Sequence, residues 1–283
     1  MENLKLKTIE GRFLAGIVTF NPCIERLKEN LGAIFSQVDH VVIVDNHSKN
    51  ISSIRELTKQ FDNVSIIELS DNYGIARALN EIGDYGVNKG YDFFLTLDQD
   101  SVMLEGTIAK YKKYLHLPKL GIINCQNIDR NGYHHHKYQE IVEKDVITSG
   151  SLMPTEVFKK GIRFDENLFI DCVDFDMDIN LRHRGYKVYE LPFEGLVHEV
   201  GDIEHPRFLW TRITVFNHSA FRRYYIQRNT IILWKKWGRN EAKKLINLNI
   251  QRFIKTLLYE DKKFQKSVNQ IRGLIDGIKY KVH

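Results

Sequence analysis

Apolar residues in the first hundred positions follow two alternating periods. Short β-branched runs at residues 14–20, 40–45, 64–69 and 92–97 have the length of strands buried on both faces. Between them lie longer amphipathic stretches at 24–37, 51–61 and 74–89. In the first of these, Ile24, Leu27, Leu31 and Ile34 recur at helical spacing. Strands separated by helices of this length predict crossover connections and a mostly parallel central sheet flanked by helices, an α/β fold. Beyond residue 120 the pattern is mixed, with strands expected at 121–125, around 145–152, at 187–191 and then at 196–199, and a helix at 174–184. From about Arg207 onward it becomes helical, with aromatic and basic residues interleaved. A boundary near residue 205 would divide the chain into residues 1–205 and a mainly helical region, 206–283.

Ligands of open parallel sheets bind at the carboxyl ends of the strands, so the residues after each apolar run carry the functional argument. They are Thr19-Phe20-Asn21, Asp45-Asn46, the turn at 71–74 and Asp98-Gln99-Asp100. One acid after a strand is an ordinary helix cap. Four polar strand ends in succession would open onto one crevice. Asp98 and Asp100, one residue apart in a turn, can approach one hard divalent cation, Mg²⁺ or Mn²⁺, which would bridge to a nucleotide diphosphate. Asp45 suits a hydrogen bond to a pyrimidine or ribose, or a cap on the helix after it, and Thr19, Phe20 and Asn21 would flank the same base. Asn72 opens a turn, Arg77 sits one turn into a helix and could reach phosphate, and Asn80 shares its face.

A second acidic cluster runs through Asp171, Asp174, Asp176 and Asp178. Its neighbours Leu168, Phe169, Ile170, Ile179 and Leu181 demand burial, and carboxylates at the edge of a core make good general bases. His198 is a further candidate ligand, whereas the run His134-His135-His136 sits in a polar loop and is read as incidental.

Composition and charge narrow the classes. With 43% hydrophobic and 27% charged residues the chain is ordinary globular protein, and its longest strongly apolar stretch is about half of a membrane span. Three scattered cysteines, Cys23, Cys125 and Cys172, have no metal-ligand spacing, so a reduced cytoplasmic protein is expected. The net charge of +5 is uneven: residues 235–283 hold thirteen Lys/Arg against four Asp/Glu, which leaves the remainder slightly acidic. Such a tail suits either an anionic surface or a solvated helical face.

As an ordered set, Gly16-Ile-Val-Thr-Phe-Asn21, Val42-Ile-Val-Asp-Asn46, Asn72-Tyr-Gly-Ile-Ala76 with Asn80, and Leu97-Asp-Gln-Asp100 resemble the family 2 glycosyltransferases of GT-A fold. The later stretches Phe164 to Asp176, His198-x-x-Gly201 and His218 to Asn229 extend the resemblance to about residue 230, toward the bacterial rhamnosyltransferases of O-antigen and capsule assembly. It implies Asp98 and Asp100 as metal ligands with His198 as a further metal or diphosphate contact, and Asp45 as the base reader. Asp174 takes the place of the catalytic aspartate with Asp176 in support, although Val173 stands where relatives with a Glu-Asp pair carry glutamate, which leaves Asp171 or Asp176 open as the base. Arg222 and Arg228 lie on a segment that would close over donor or acceptor. The implied reaction is inverting transfer of L-rhamnose from dTDP-rhamnose, with other dTDP- or UDP-sugars as competing donors, to a glycan on a polyprenyl diphosphate carrier. The basic tail would dock on the anionic inner face of the membrane, and its aromatic residues suit a homodimer. Among rivals, a nucleotidyltransferase lacks its Gly-rich loop here, since Thr19-Phe-Asn-Pro22 follows the first strand. A nucleic-acid binder has the basic stripe but no module, and its acidic crevice would repel phosphate. A non-catalytic sugar-nucleotide binder has the same sequence features.

Overall fold

The computed structural model describes residues 10–130, 138–199, 207–208, 211–212, 215 and 217–282. Its first half follows the expected alternation: β1 (Phe13–Thr19), α1 (Ile24–Ile34), β2 (His40–Asp45), α2 (Ile51–Thr58), β3 (Val64–Glu68), α3 (Ile75–Asn88) and β4 (Phe93–Asp98). The second half runs β5 (Val102–Met103), α4 (Thr107–Lys112), β6 (Leu120–Asp129), β7 (Val142–Glu143), β8 (Ser151–Pro154), α5 (Thr155–Lys159), α6 (Val173–His183) and β9 (Lys187–His198). A small hairpin, β10 (Arg207–Phe208) and β11 (Thr211–Arg212), precedes three helices, α7 (Ala220–Trp237), α8 (Arg239–Tyr259) and α9 (Lys263–Lys279).

The sheet order is β3-β2-β1-β4-β8-β6-β9-β5, with β7 beside β9. The first four strands are parallel, as expected, because each returns through a helix. From β8 onward the sheet is mixed, since β8 runs antiparallel to both β4 and β6, and β5 and β7 run antiparallel to β9. Side chains alternate between faces at period two and build two cores. Leu14, Val18, Val42 and Val44 meet α3, α5 and α6 on one face; Ala15, Ile17, Val41 and Ile43 meet α1, α2 and α4 on the other. Gly16 lets α3 approach closely, since a Cβ there would lie 2.2 Å from the Ile82 side chain.

Three expectations need correction. Residues 145–150 are not a strand: their carbonyls and amides bond to side chains, with Thr148 accepting from Thr96, Ile147 and Ser149 accepting from Asn124, and Val146 donating to Asp178. The two runs at 187–191 and 196–199 are one long strand, β9, with bulges in its pairing to β6. Helix begins at Ala220 and not near Arg207. Ile232, Leu233 and Leu245 of α7 and α8 belong to the same apolar cluster as Leu14 and Phe94, so these helices share the sheet's core. The boundary near residue 205 and the histidine run 134–136 lie outside the described residues.

Candidate active site

Register sets the first part of the site. Thr19 pairs with Asp45 and Val18 with Asp98, so β1, β2 and β4 end level with one another. The turn after β4 is tied down from three sides. Gln99 accepts from the Phe20 amide through Oε1 at 2.9 Å, Asn30 Nδ2 donates to the Asp98 carbonyl at 2.8 Å, and the Asp98 amide donates to Ser149 Oγ at 3.1 Å. Asp98 and Asp100 are thereby held in a fixed turn with side chains partly exposed.

β5 and β9 bring in the third candidate ligand. Val102 pairs with Val197, so one residue further out Ser101 faces His198, and Ser101 Oγ lies 2.9 Å from His198 Nδ1. One ligand atom each of Asp98, Asp100 and His198 lies within 4.8 Å of the others. Two carboxylates and an imidazole at this spacing fit a divalent ion, the imidazole favouring Mn²⁺ over Mg²⁺. A hydroxyl chain stands behind the histidine: Ser149 Oγ donates to Ser101 Oγ at 2.8 Å, and Ser101 meets His198. Ser101 and Ser149 escaped the sequence reading because a serine's partner 48 residues away leaves no periodic signal.

α6 carries the candidate base, Asp174. Its N-terminus follows a segment in which Phe169, Asp171 and Cys172 all have φ between 62° and 64°, a conformation uncommon for residues with side chains. α7 grips that segment. Asn229 Nδ2 donates to the carbonyls of Leu168, Ile170 and Asp171 at 2.8–2.9 Å, and Arg222 Nε and Nη2 clasp the Asp171 carboxylate. Gly74, at φ 87°, seats against the Phe169 carbonyl, where a Cβ would stand 2.5 Å from the oxygen. Asp174 then opens the first turn of α6. Burial raises its carboxyl to about 6; the Phe175 amide opposes this, while the charges of Asp171 and Asp98 add to it. Burial also raises Asp98, against the pull of His198 and Arg222 and with the push of Asp100. Asp98, Asp174 and Arg222 therefore sense one another's charge across one crevice.

Several expected site residues stand elsewhere or are already occupied. Asp176 does not face the crevice: it is fully buried, held by Lys236 at 2.9 Å and by Trp237 Nε1 at 2.7 Å. Two positions along α6 from Asp174, it points to a different side of the helix and anchors α7. Asn80 is a staple, donating to the Phe164 carbonyl and accepting from its amide. Arg77 pairs with Glu81 and Glu166 on that same side. Arg228 donates to the Asn167 carbonyl and lies over the rings of Tyr225 and Tyr280. Asn72 closes its own turn onto the Gly74 amide. Asp45 is 1% exposed, accepting from Thr19 Oγ1 and the Ser48 amide at 2.8 Å each, so it shapes the strand ends from beneath. Asn21, at φ 48°, bonds across to Ser48 and Lys49. Phe20 and Tyr73 are the exposed aromatics at these strand ends, 45% and 49% accessible. A pocket of about 400 Å³ lined by Asn80, Asp84, Arg163, Asp165 and Lys236 lies apart, its charges already paired as Arg163–Asp84 and Lys236–Asp165.

Comparison with known proteins places this arrangement. The family described as Glycosyl transferase family 2 matches residues 15–172. The chain is 28% identical to the dTDP-rhamnosyl transferase RfbF of Shigella flexneri, over 96% of this chain and 99% of that one. Among solved structures, TarS 1–349 of S. aureus in complex with UDP-GlcNAc superposes with a TM-score of 0.61 at 14% identity, covering 94% of this chain and 81% of that chain. Another structure of TarS 1–349 gives 0.59 at 13% identity, covering 94% of this chain and 81% of that chain. These two structures bear on the fold alone.

Proposed function

The chain belongs to glycosyl transferase family 2, and from that premise we propose that it transfers L-rhamnose with inversion from dTDP-rhamnose to a hydroxyl of a lipid-linked glycan. The observation that carries the reading is the meeting of Asp98, Asp100 and His198 within 4.8 Å, beside a carboxylate raised to about 6. The donor sugar rests on the relative across nearly the full length of both chains, which is named for that sugar nucleotide.

In this reading Asp174 accepts the proton of the acceptor hydroxyl as its oxygen attacks the anomeric carbon. A proton affinity near neutrality suits that role, because the carboxylate is mostly ionised at pH 7 yet basic enough to take a proton. Asp98, Asp100 and His198 would hold Mg²⁺ or Mn²⁺, which supplies positive charge to the departing nucleoside diphosphate. Arg222, oriented by Asp171, adds a fixed cation at the same crevice. Phe20 and Tyr73 offer ring faces to the nucleobase, and Thr19 and Asp45 keep the β1 and β2 ends in register beneath it. Arg163 and Lys236 carry the fold on the other side. The acceptor would be a polyprenyl diphosphate glycan at the inner face of the membrane, the enzyme working from the cytoplasm; among the described residues no helix is long and apolar enough to cross a membrane.

The deciding experiment is release of nucleoside diphosphate from a panel of sugar nucleotides, with Mn²⁺ or Mg²⁺ and after chelation. dTDP-rhamnose should be consumed fastest, and Asp100→Ala should abolish release. Preference for a UDP-hexose would overturn the donor assignment, and full activity in chelator would remove the metal.

A further inference from the structure

The last two helices leave ten large apolar side chains exposed. On α9 they recur at Phe264, Val268, Ile271, Ile275 and Ile278, at spacings of four and three that place all five on one face. Their accessibilities run from 38% to 85%. On α8 the exposed set is Ile250, Ile254, Leu257 and Leu258, leading to the 260–262 connection. By contrast Leu245, which the same sequence pattern includes, is buried. The opposite face of α9 is locked against α7, because a Cβ at Gly273 or Gly277 would lie 2.2 Å from the Tyr224 carbonyl oxygen or 2.7 Å from that of Arg228. Helix α9 therefore cannot roll its stripe inward. Contiguous apolar surface on this scale marks an interaction site.

Charge decides the partner. Between residues 239 and 282 the exposed charged side chains are eight Lys/Arg and one acid, Asp261. The remaining acids are used internally: Glu260 is buried against Arg223 and Lys266, Asp276 accepts from the Tyr224 hydroxyl, and Glu241 faces Arg182 and His183. Exposed cations adjoin the stripe in sequence, Lys262 and Lys263 before Phe264, Arg272 after Ile271 and Lys279 after Ile278. The four-three spacing would also suit a helical seam with a second copy. A second copy, however, brings the same cations to the same flanks, and like charges across a seam repel. An anionic lipid surface accommodates both features, apolar side chains in the acyl boundary and cations at the headgroups.

We propose that the α8–α9 face docks this protein on an anionic membrane, with α9 lying in the interface plane. Helix α7 touches both α9 and the segment that leads into Asp174: its Arg222 reaches Asp171, and its Tyr224 seats Gly273. Neighbouring helices pack roughly 8–10 Å apart, so docking brings the crevice to about one helix layer from the headgroups. The proposal extends the reading of a lipid-linked acceptor but stands on the surface alone, and its deciding measurement, flotation, uses no sugar nucleotide.

The full chain is floated with vesicles of phosphatidylcholine, with and without phosphatidylglycerol, at low and high salt. Binding should require the anionic lipid and fall about tenfold or more at high salt. Ile271→Asp with Ile275→Asp should abolish flotation and leave the thermal melt unchanged, since both side chains are exposed. Arg272→Glu with Lys279→Glu should remove most of the salt-sensitive part. Flotation equal in wild type and the apolar double variant would overturn the proposal. So would a wild-type dimer in light scattering that the variant dissociates, with no vesicle binding. Nucleoside diphosphate release should survive in the variant; its absence from the wild type would count against the reaction and not against docking.

Discussion

Two sets of carboxylates sit on and around α6 and have opposite fates. On the crevice side, burial raises Asp98 and Asp174, which have a backbone amide and the more distant charges of His198 and Arg222 in place of a direct cation partner. Away from the crevice, Asp176 and Asp165 share Lys236 and Asp176 accepts from the Trp237 indole N–H, and among the C-terminal helices Glu260 lies between Arg223 and Lys266. Burial and pairing differ together: Asp98 and Asp174 keep part of their surface open at the crevice, whereas Asp176 and Glu260 are buried and paired with cations. An acid with its partners in place holds elements together, and one left short of partners is available to a ligand, a metal or a proton.

The sharpest way to break this contrast is to neutralise one acid of each kind. Asp174→Asn should lower transfer by about 10²–10⁴-fold, the range for a lost general base. The same variant should keep its thermal midpoint and its nucleotide affinity by calorimetry; unchanged transfer would remove Asp174 from the mechanism. Glu260→Ala should act in reverse, since it strands two buried cations. Roughly 3–5 kcal/mol of stability should be lost in urea unfolding, with nucleotide affinity retained by whatever fraction remains folded. Behind the proposed metal ligands, Ser101→Ala should weaken Mn²⁺ binding by about 10–100-fold in titration without substrate. Equal affinity would leave Ser101 a packing residue.

Acidity offers a milder probe. The raised carboxyl of Asp174 holds its proton below about pH 6. A base must be unprotonated, so single-turnover transfer should level off above that pH and fall about tenfold per unit below it. A profile flat from about pH 5 to about pH 8, across the Asp174 value of about 6, would contradict the assignment. At the small end stands the exposed pair Arg55–Glu68, whose side chains are 55% and 38% accessible. Arg55→Ala should leave both the urea-unfolding midpoint and catalysis nearly unchanged, because solvent screens the pair.

The parallel half of the fold was legible because its signal is local. Buried strands near 14–20, 40–45, 64–69 and 92–97 and the helices between them need only the periodicity of their own residues, and they occupy those places to within a few residues. The acids after those strands were legible for the same reason. The 145–150 segment was not, because it is held by the side chains of Thr96, Asn124 and Asp178, and sequence proximity carries no trace of such partners. Asp176 was misread in the same way: Lys236 and Trp237 lie 60 and 61 residues on.

What the sequence determined by itself, then, is the order of strands and helices, the family pattern, and the chemistry offered at each strand end. These follow from spacing within a few residues, where backbone geometry alone sets which side chains share a face. Only the tertiary structure decided which acids remain open. Register set Thr19 beside Asp45, the β5–β9 pairing set Ser101 beside His198, and the packing of α7 on α6 closed Asp176 while leaving Asp174 at the crevice. Pairing between distant segments depends on where the whole chain comes to rest, and burial and charge at a given carboxylate are properties of that arrangement.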